Sequence, residues 1–425
     1  MTIVFPGFLD RPMTDASSAA ETPADLLQGV RVLDLTNVLS GPFSTYQMAL
    51  LGAEVIKIEN PDGGDLARRL GAAPDLNRDL MGTSFQAQNA GKKSLALDLK
   101  TPAGRRVFET LVATADVLVE NFRPGVMDRL KLGWEDLRKI NPKLIYCAIS
   151  GFGQAGPLRN SPAYDQIIQG MAGIMSVTGS PETAPLRVGY PVADTIGGLT
   201  GAFATMAALF ARDRTGKGRF IDVSMLDSSI VTMGWIVSNY LSAHVRPTPL
   251  GNENMTAAPS GTFVAADGPL NIAANKDEHF VALCGLLGRE DLVADPRFCE
   301  RELRKRHRAA LNVEINASLA GASVAHWVEA LTAAGIPAGP VLDIPAVLSH
   351  PQIAERRLIQ EIPVPGETGA TMRVTRAGYR LAEGEPTART APPRLGEHTT
   401  EILEGLGLTA EAIEALRVEG VISPR

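Results

Sequence analysis

The chain has 425 residues, 45% of them hydrophobic and 21% charged, and a formal net charge of −6. That length exceeds what one core usually serves, so two domains are expected, and the acidic balance argues against nucleic acid as a partner. The three cysteines, Cys147, Cys284 and Cys299, show no metal-ligand spacing, so reduced thiols and no metal centre are expected.

The start, MTIVFPGFLDRPMTDASSAAETPAD, has no basic leader and no long apolar core. Residues 1–28 are therefore expected to be a mobile tail, not a signal peptide. No apolar run reaches membrane-span length, so a cytoplasmic protein without a membrane partner is expected. The run GVRVLDLTN (29–37) predicts a buried strand. VLSGPFSTYQMALLGA predicts a helix, with Pro42 at its first position and Gly52 closing it. EVIKIENP (54–61) predicts a second strand, which makes a βαβ unit and hence a parallel sheet.

The pattern repeats in SLALDL (94–99), a helix over 101–115 capped by Thr101, and strands at 116–122, 142–153 and 218–225. Beyond residue 225 the character changes. GTFVAADGPLNIAAN (261–275) predicts a hairpin with Asp267-Gly268 in the turn. The charge run in 301–315 reads as a solvated helix face, and the Pro/Gly-rich stretch 334–352 as a connector. The first βα turn, NVLSGPFS, carries neither GxGxxG nor a P-loop, so these residues alone give no dinucleotide or P-loop signature.

Several ordered motifs carry a resemblance: GVRVLDLTNVLSGPFSTYQMALLGAEVIKIENPDGGD, NAGKKSLALDLKTPAGR, DVLVENFRPGVMDRLKLGW, NPKLIYCAISGFGQAGP, PAYDQIIQGMAG and TGKGRFIDVSM. Together they resemble the class III CoA-transferases, a superfamily that includes formyl-CoA transferase, carnitine CoA-transferase and α-methylacyl-CoA racemase. The resemblance implies an α/β fold: a Rossmann-like large domain with a parallel sheet plus a smaller inserted α+β domain. On this chain the large domain begins at 29–225, the smaller one falls near 226–325, and 326–425 returns to the large domain. It also implies an interlocked homodimer, coenzyme A bound as acyl-CoA, and a carboxylic acid acceptor.

CoA transfer must keep the acyl group activated. A carboxylate nucleophile does so through a mixed anhydride, from which CoA thiolate forms an enzyme–CoA thioester. A carboxylate is ionised near neutral pH and needs no general base, which suits a region with no histidine before His244. The resemblance implies Glu182, in TGSPETAP, as nucleophile, in place of an Asp. Asp194, in PVADTIGG, matches an acid found across the superfamily and is also placed to cap the next helix. Asp165, in PAYDQ, is the third candidate. It follows Tyr164, where the racemases of this superfamily carry a His base, and a Tyr with a pKa of about 10 is poorly matched to α-proton exchange. A racemase and a non-catalytic acyl-CoA binder are thus the lesser readings.

For CoA itself the resemblance implies Val38 as a backbone contact, Leu97 as an adenine neighbour, Lys100 as a basic residue, Asn121 and Phe122 as the contact pair of ENFRPG, and Arg129 facing phosphate. Leu39, Asn60 and Ser150 stand where relatives carry Gln, Arg and Lys, which leaves Arg123 and Lys57 as substitute cations. Arg187 is a candidate partner for a second substrate carboxylate, and 249–263 is a candidate lid.

Overall fold

The computed structural model describes residues 25–364 and 369–423. Most of the expected tail, residues 1–24, lies outside the described residues. The rest of it is not a tail, because Leu27 N–H donates to Leu51 O at 2.9 Å and seats this turn on the end of the first helix.

Contacts divide the chain into two units. The first comprises residues up to 162, 194–225 and 357 onward. Its centre is a six-stranded parallel sheet in the order β3-β2-β1-β4-β5-β6. The strands are β1 (Arg31–Leu35), β2 (Glu54–Glu59), β3 (Lys93–Ala96), β4 (Val117–Glu120), β5 (Ile145–Ser150) and β6 (Arg219–Ser224). All six were anticipated. β1 pairs with β2 (Leu33 opposite Ile56) and with β4 (Leu33 opposite Leu118), so the order reverses between β1 and β4. The switch point there is where α/β sheets characteristically bind ligands, beyond the strands' carboxyl ends.

The helix α1 (Ser40–Leu50) connects β1 to β2, and Pro42 sits at its third position, not its first. The helix α2 (Pro102–Thr114) is capped by Thr101, whose hydroxyl accepts from Gly104 N–H. Its Phe108 and Leu111 pack on Leu33, Ile56, Leu95 and Leu118 of the sheet, and Leu403 and Ile422 from the chain's end join the same core. Backbone bonds tie that end to β3: His398 N–H to Ser94 O at 3.0 Å, and Asp98 N–H to Val421 O at 2.8 Å. A small antiparallel pair, β10 (Ile359–Pro363) and β11 (Thr371–Thr375), packs on Tyr46 and Leu50 of α1.

The second unit comprises 163–193 and 226–356. This division differs from boundaries at 226 and 325: a segment preceding 194 and the stretch 326–356 belong to the smaller body. Its three-stranded antiparallel sheet joins β7 (Ser260–Ala265), β8 (Gly268–Ala273) and β9 (Ala338–Pro340). The hairpin turn is Ala266-Asp267, one residue earlier than expected, because Gly268 already pairs with Ala265. The supposed connector 334–352 supplies β9 and two short helices.

The charge run is not a uniformly solvated face. Arg304 is buried, donates to Ala258 O and Phe298 O at 3.1 Å each, pairs with Asp277 and stacks on Phe280. A planar guanidinium can satisfy several such acceptors inside a core.

One described helix, α4 (Val192–Thr215), is long and apolar enough to cross a membrane by length and composition, contrary to the sequence expectation. The expectation looked for an unbroken run, whereas this helix reaches the threshold on average across interspersed threonines. Its glycine face packs inside the first unit. A Cβ on Gly198 would lie 2.4 Å from Ser40 O, and one on Gly201 would lie 2.8 Å from Ile149 Cδ1.

Candidate active site

The segment joining β1 to α1 is clamped by side chains at nearly every backbone polar group. Thr36 N–H donates to Asp34 Oδ1 at 2.9 Å, and Thr36 O accepts from Lys57 Nζ at 2.7 Å. Asn37 N–H donates to Asn121 Oδ1 and Asn37 O accepts from Asn121 Nδ2, both at 2.8 Å. Val38 N–H donates to Asp65 Oδ1 at 2.9 Å. Val38 itself has φ 66°, a left-handed conformation that a β-branched residue rarely takes.

Behind the turn lies a fully buried charge network. Lys57 is 3.0 Å from Asp65, and Lys92 is 2.9 Å from Asp34. Burial alone would raise Asp34, but Lys57 and Lys92 outweigh it and hold its carboxyl well below the carboxylate range. Burial alone would lower Lys57, but Asp34 and Asp65 outweigh it and leave it above its ordinary value. For Lys92 burial wins, and its pKa falls to about 8.

A cavity of about 430 Å³ opens at the carboxyl ends of β1 to β4. Leu35 ends β1 and Asn37 follows it, Asn60 follows β2, Leu97 and Lys100 follow β3, and Phe122 and Arg129 follow β4. Leu97, Lys100, Phe122 and Arg129 thus meet in one place, across two strand ends. Lys100 and Arg129 are exposed cations, while Leu97 and Phe122 supply apolar wall, the mix that a phosphate-bearing ligand with an apolar arm requires. Val38 and Asn121 sit behind this wall. The Val38 N–H is bound to Asp65 and the Asn121 amide to Asn37, so neither offers those groups to a ligand. Lys57 does not serve as a substitute phosphate ligand, since it is buried and paired.

The three candidate acids occupy different settings. Glu182 is exposed in a turn of the second unit, where Ser180 Oγ donates to Glu182 Oε2 at 2.7 Å. That hydrogen bond holds its carboxyl below the ordinary value. Asp165, also in the second unit, is 6% exposed at the first turn of α3 (Asp165–Met171). Its oxygens accept from Ala193 N–H at 2.9 Å, Gln169 Nε2 at 2.7 Å and Arg187 at 3.3 Å. Asp165 thereby fastens the 187–193 segment to α3, and Arg187 remains 41% exposed. Tyr164 is 67% exposed beside it. In the candidate lid, Gly251 N–H donates to Gly179 O at 2.7 Å, and residues from Ser260 onward belong to β7.

Asp194 belongs to the first unit, half-buried in the first turn of α4, where aligned peptide dipoles favour an anion. Positions 194, 197, 198 and 201 share one helix face. On that face Gly197 and Gly198 meet Ser40, and Gly201 meets Ser44, so α4 and α1 run in the same sense. Asp194, one turn earlier, therefore stands at the amino end of α1, beside the clamped turn. There, among the described residues, α1 has no side-chain cap and the buried Ser40 hydroxyl has no hydrogen-bond partner.

Glu120, which the sequence reading passed over, ends β4 with its Oε2 accepting from Phe122 N–H at 2.7 Å. Burial pushes its carboxyl from 4.5 up to about 8, and the charges of Asp128 and Asp222 add to this. A raised folded-state pKa stabilises the protonated form. The contribution is complete below about pH 4.5 and is lost as pH rises through about 8. Urea titrations across that range are expected to show stability falling by up to about 1.4 kcal/mol per pH unit from this group. Glu120→Gln should flatten that slope; an unchanged slope refutes the assignment.

These features define an α/β protein with a cavity beyond the carboxyl edge of its parallel sheet. A family model described as CoA-transferase family III matches residues 27–399, and the chain belongs to that family. It is 40% identical to an acetyl-CoA:oxalate CoA-transferase of Acetobacter aceti, over 91% of this chain and 96% of that one. It is 37% identical to a succinyl-CoA:glutarate CoA-transferase of Mus musculus, over 97% and 92%. Among solved structures, a CaiB/BaiF family protein from Brucella suis superposes with TM-score 0.78 at 34% identity, covering 91% of this chain and 100% of that one. A Mycobacterium tuberculosis protein crystallised with an aspartate replaced by alanine superposes with TM-score 0.80 at 34% identity, over 90% and 99%. The chain is thus a CoA-transferase acting on CoA thioesters, as its residues led one to expect.

Proposed function

We propose that the enzyme exchanges CoA between an acyl-CoA and a free dicarboxylic acid, with Asp194 as the covalent carboxylate. The observation that carries this is the position of Asp194 at the amino end of α1, in the same unit as the cavity that gathers Leu97, Lys100, Phe122 and Arg129. Glu182, the first choice from the sequence, is exposed in the other unit. The Asp194 carboxylate attacks the thioester carbonyl and expels CoA thiolate, leaving a mixed anhydride. The thiolate then attacks the enzyme's carbonyl, releasing the donor acid and forming an enzyme–CoA thioester. The acceptor carboxylate attacks that thioester and expels thiolate, which finally takes the acceptor acyl group and frees Asp194. The uncapped N–H groups of α1 suit the oxyanions of these steps.

A dicarboxylic acceptor is supported by relatives named for oxalate, glutarate, mesaconate and L-malate. Incubation with donor acyl-CoA, borohydride reduction and peptide mapping should place the reduced carboxyl at Asp194. A label at Glu182 instead would transfer the role there. Deuterium uptake at the α-carbon without an acceptor would favour a racemase, and tight CoA binding without turnover a binding protein.

A homodimer is part of the same reading. Phe203 and Phe210 on α4 are 77% and 67% exposed, and in the other unit Val231 and Trp235 are 75% and 64% exposed. Exposed apolar groups of this size mark association surfaces. Light scattering should give twice the mass of one chain, and a monomer at micromolar concentration rejects the dimer.

A further inference from the structure

We infer that Asp65, paired with Lys57, is a positioning residue that holds the β1–α1 turn in its left-handed conformation and so keeps the wall of the CoA cavity preformed. The inference rests on the cavity's being the CoA site. Asp65 is not itself a lining residue of the cavity. It is 1% exposed, and its Oδ1 accepts from both Val38 and Ala67 N–H at 2.9 Å. Its backbone N–H donates to Glu59 Oε1 at 3.1 Å, which fixes it to the end of β2.

Lys57 sits 3.0 Å from Asp65 and also donates to Thr36 O, so one ammonium ties the acid and the turn together. Asn37, which borders the cavity, lies between Thr36 and Val38. A valine at φ 66° does not hold that conformation unaided, because its Cβ crowds the following carbonyl. With the Asp65 bond gone, the turn relaxes toward negative φ. Asn37 then leaves its place at the cavity.

The test is a mutant cycle read by steady-state kinetics with an acyl-CoA donor and a dicarboxylate acceptor. Asp65→Ala is expected to raise KM for the acyl-CoA roughly tenfold, the factor that a left-handed penalty of this class represents. The acceptor KM should change by less than about twofold. Val38→Gly in the Asp65→Ala background should restore most of the acyl-CoA KM, because glycine takes positive φ without that penalty. A merely structural Asp65 gives no such rescue.

Should Asp65→Ala not fold, the cycle is run on Lys57→Met/Asp65→Leu, which removes both charges and leaves neither of the pair unpaired in the interior. An acyl-CoA KM unchanged in either background, or not recovered by Val38→Gly, overturns the inference. Wild-type enzyme that fails to bind acyl-CoA at all would instead overturn the reading of the cavity.

Discussion

Asp194→Asn is expected to lower CoA exchange by on the order of 10⁴-fold or more, the scale on which loss of a covalent nucleophile acts. The amide cannot form the anhydride, and no other acid stands on the same face of α4. Gly197 and Gly198 fill that face against Ser40, so a neighbouring side chain has no room to substitute. The change replaces one oxygen by a nitrogen, and the melting temperature should move by only a few degrees. Binding of acyl-CoA should survive, because the cavity residues are untouched. Glu182→Gln, by contrast, should keep exchange within about tenfold of wild type, since it alters an exposed turn. Initial rates with isotopically labelled acid measure both. Full activity in Asp194→Asn ends the proposal, and a collapse in Glu182→Gln moves the chemistry to that turn.

Arg68→Met should produce the largest loss of stability among single substitutions in the first unit, about 3–5 kcal/mol. Arg68 is 0% exposed and meets Glu59 through two bonds, Nε to Oε1 at 2.7 Å and Nη2 to Oε2 at 2.8 Å. It also donates to Pro393 O at 3.2 Å and to Leu80 O at 3.1 Å, and stacks on Phe85 at 3.7 Å. Methionine fills part of the volume but leaves the Glu59 carboxylate, 4% exposed, without its cation. The remaining donors to Glu59, Ser94 Oγ at 2.7 Å and Asp65 N–H at 3.1 Å, do not replace a charge. Adding Glu59→Gln should recover a substantial part of the loss, because the buried anion then disappears. Denaturant unfolding of the single and double variants measures this. A loss under about 1 kcal/mol in Arg68→Met would mean that the pair contributes no more than a surface ion pair.

The parallel sheet was readable because its strands are short β-branched runs separated by helical periods and turn residues, and both signals are local. The cavity residues Leu97, Lys100, Phe122 and Arg129 were found through ordered motifs, and the fold brings them together because strand ends in a parallel sheet share one edge. Lys57 was misread for a local reason: a lysine in VIKIE looks like an alternate solvent-facing position. It is interior because Asp34 and Asp65, 23 residues before and 8 after it, come to meet it. The Asn121 amide closes on Asn37, 84 residues away, a pairing that no local pattern shows.

By itself the chain's order of apolar runs, caps and motifs determined the α/β class and the family. Periodicity and turn chemistry act over a few residues and survive in one dimension. Tertiary structure alone decided which acid stands beside α1, why Val38 keeps a left-handed backbone and which charges are buried. Those outcomes depend on distances between segments far apart in the chain, where a missing Cβ at Gly198 or a partner for Lys57 changes the answer.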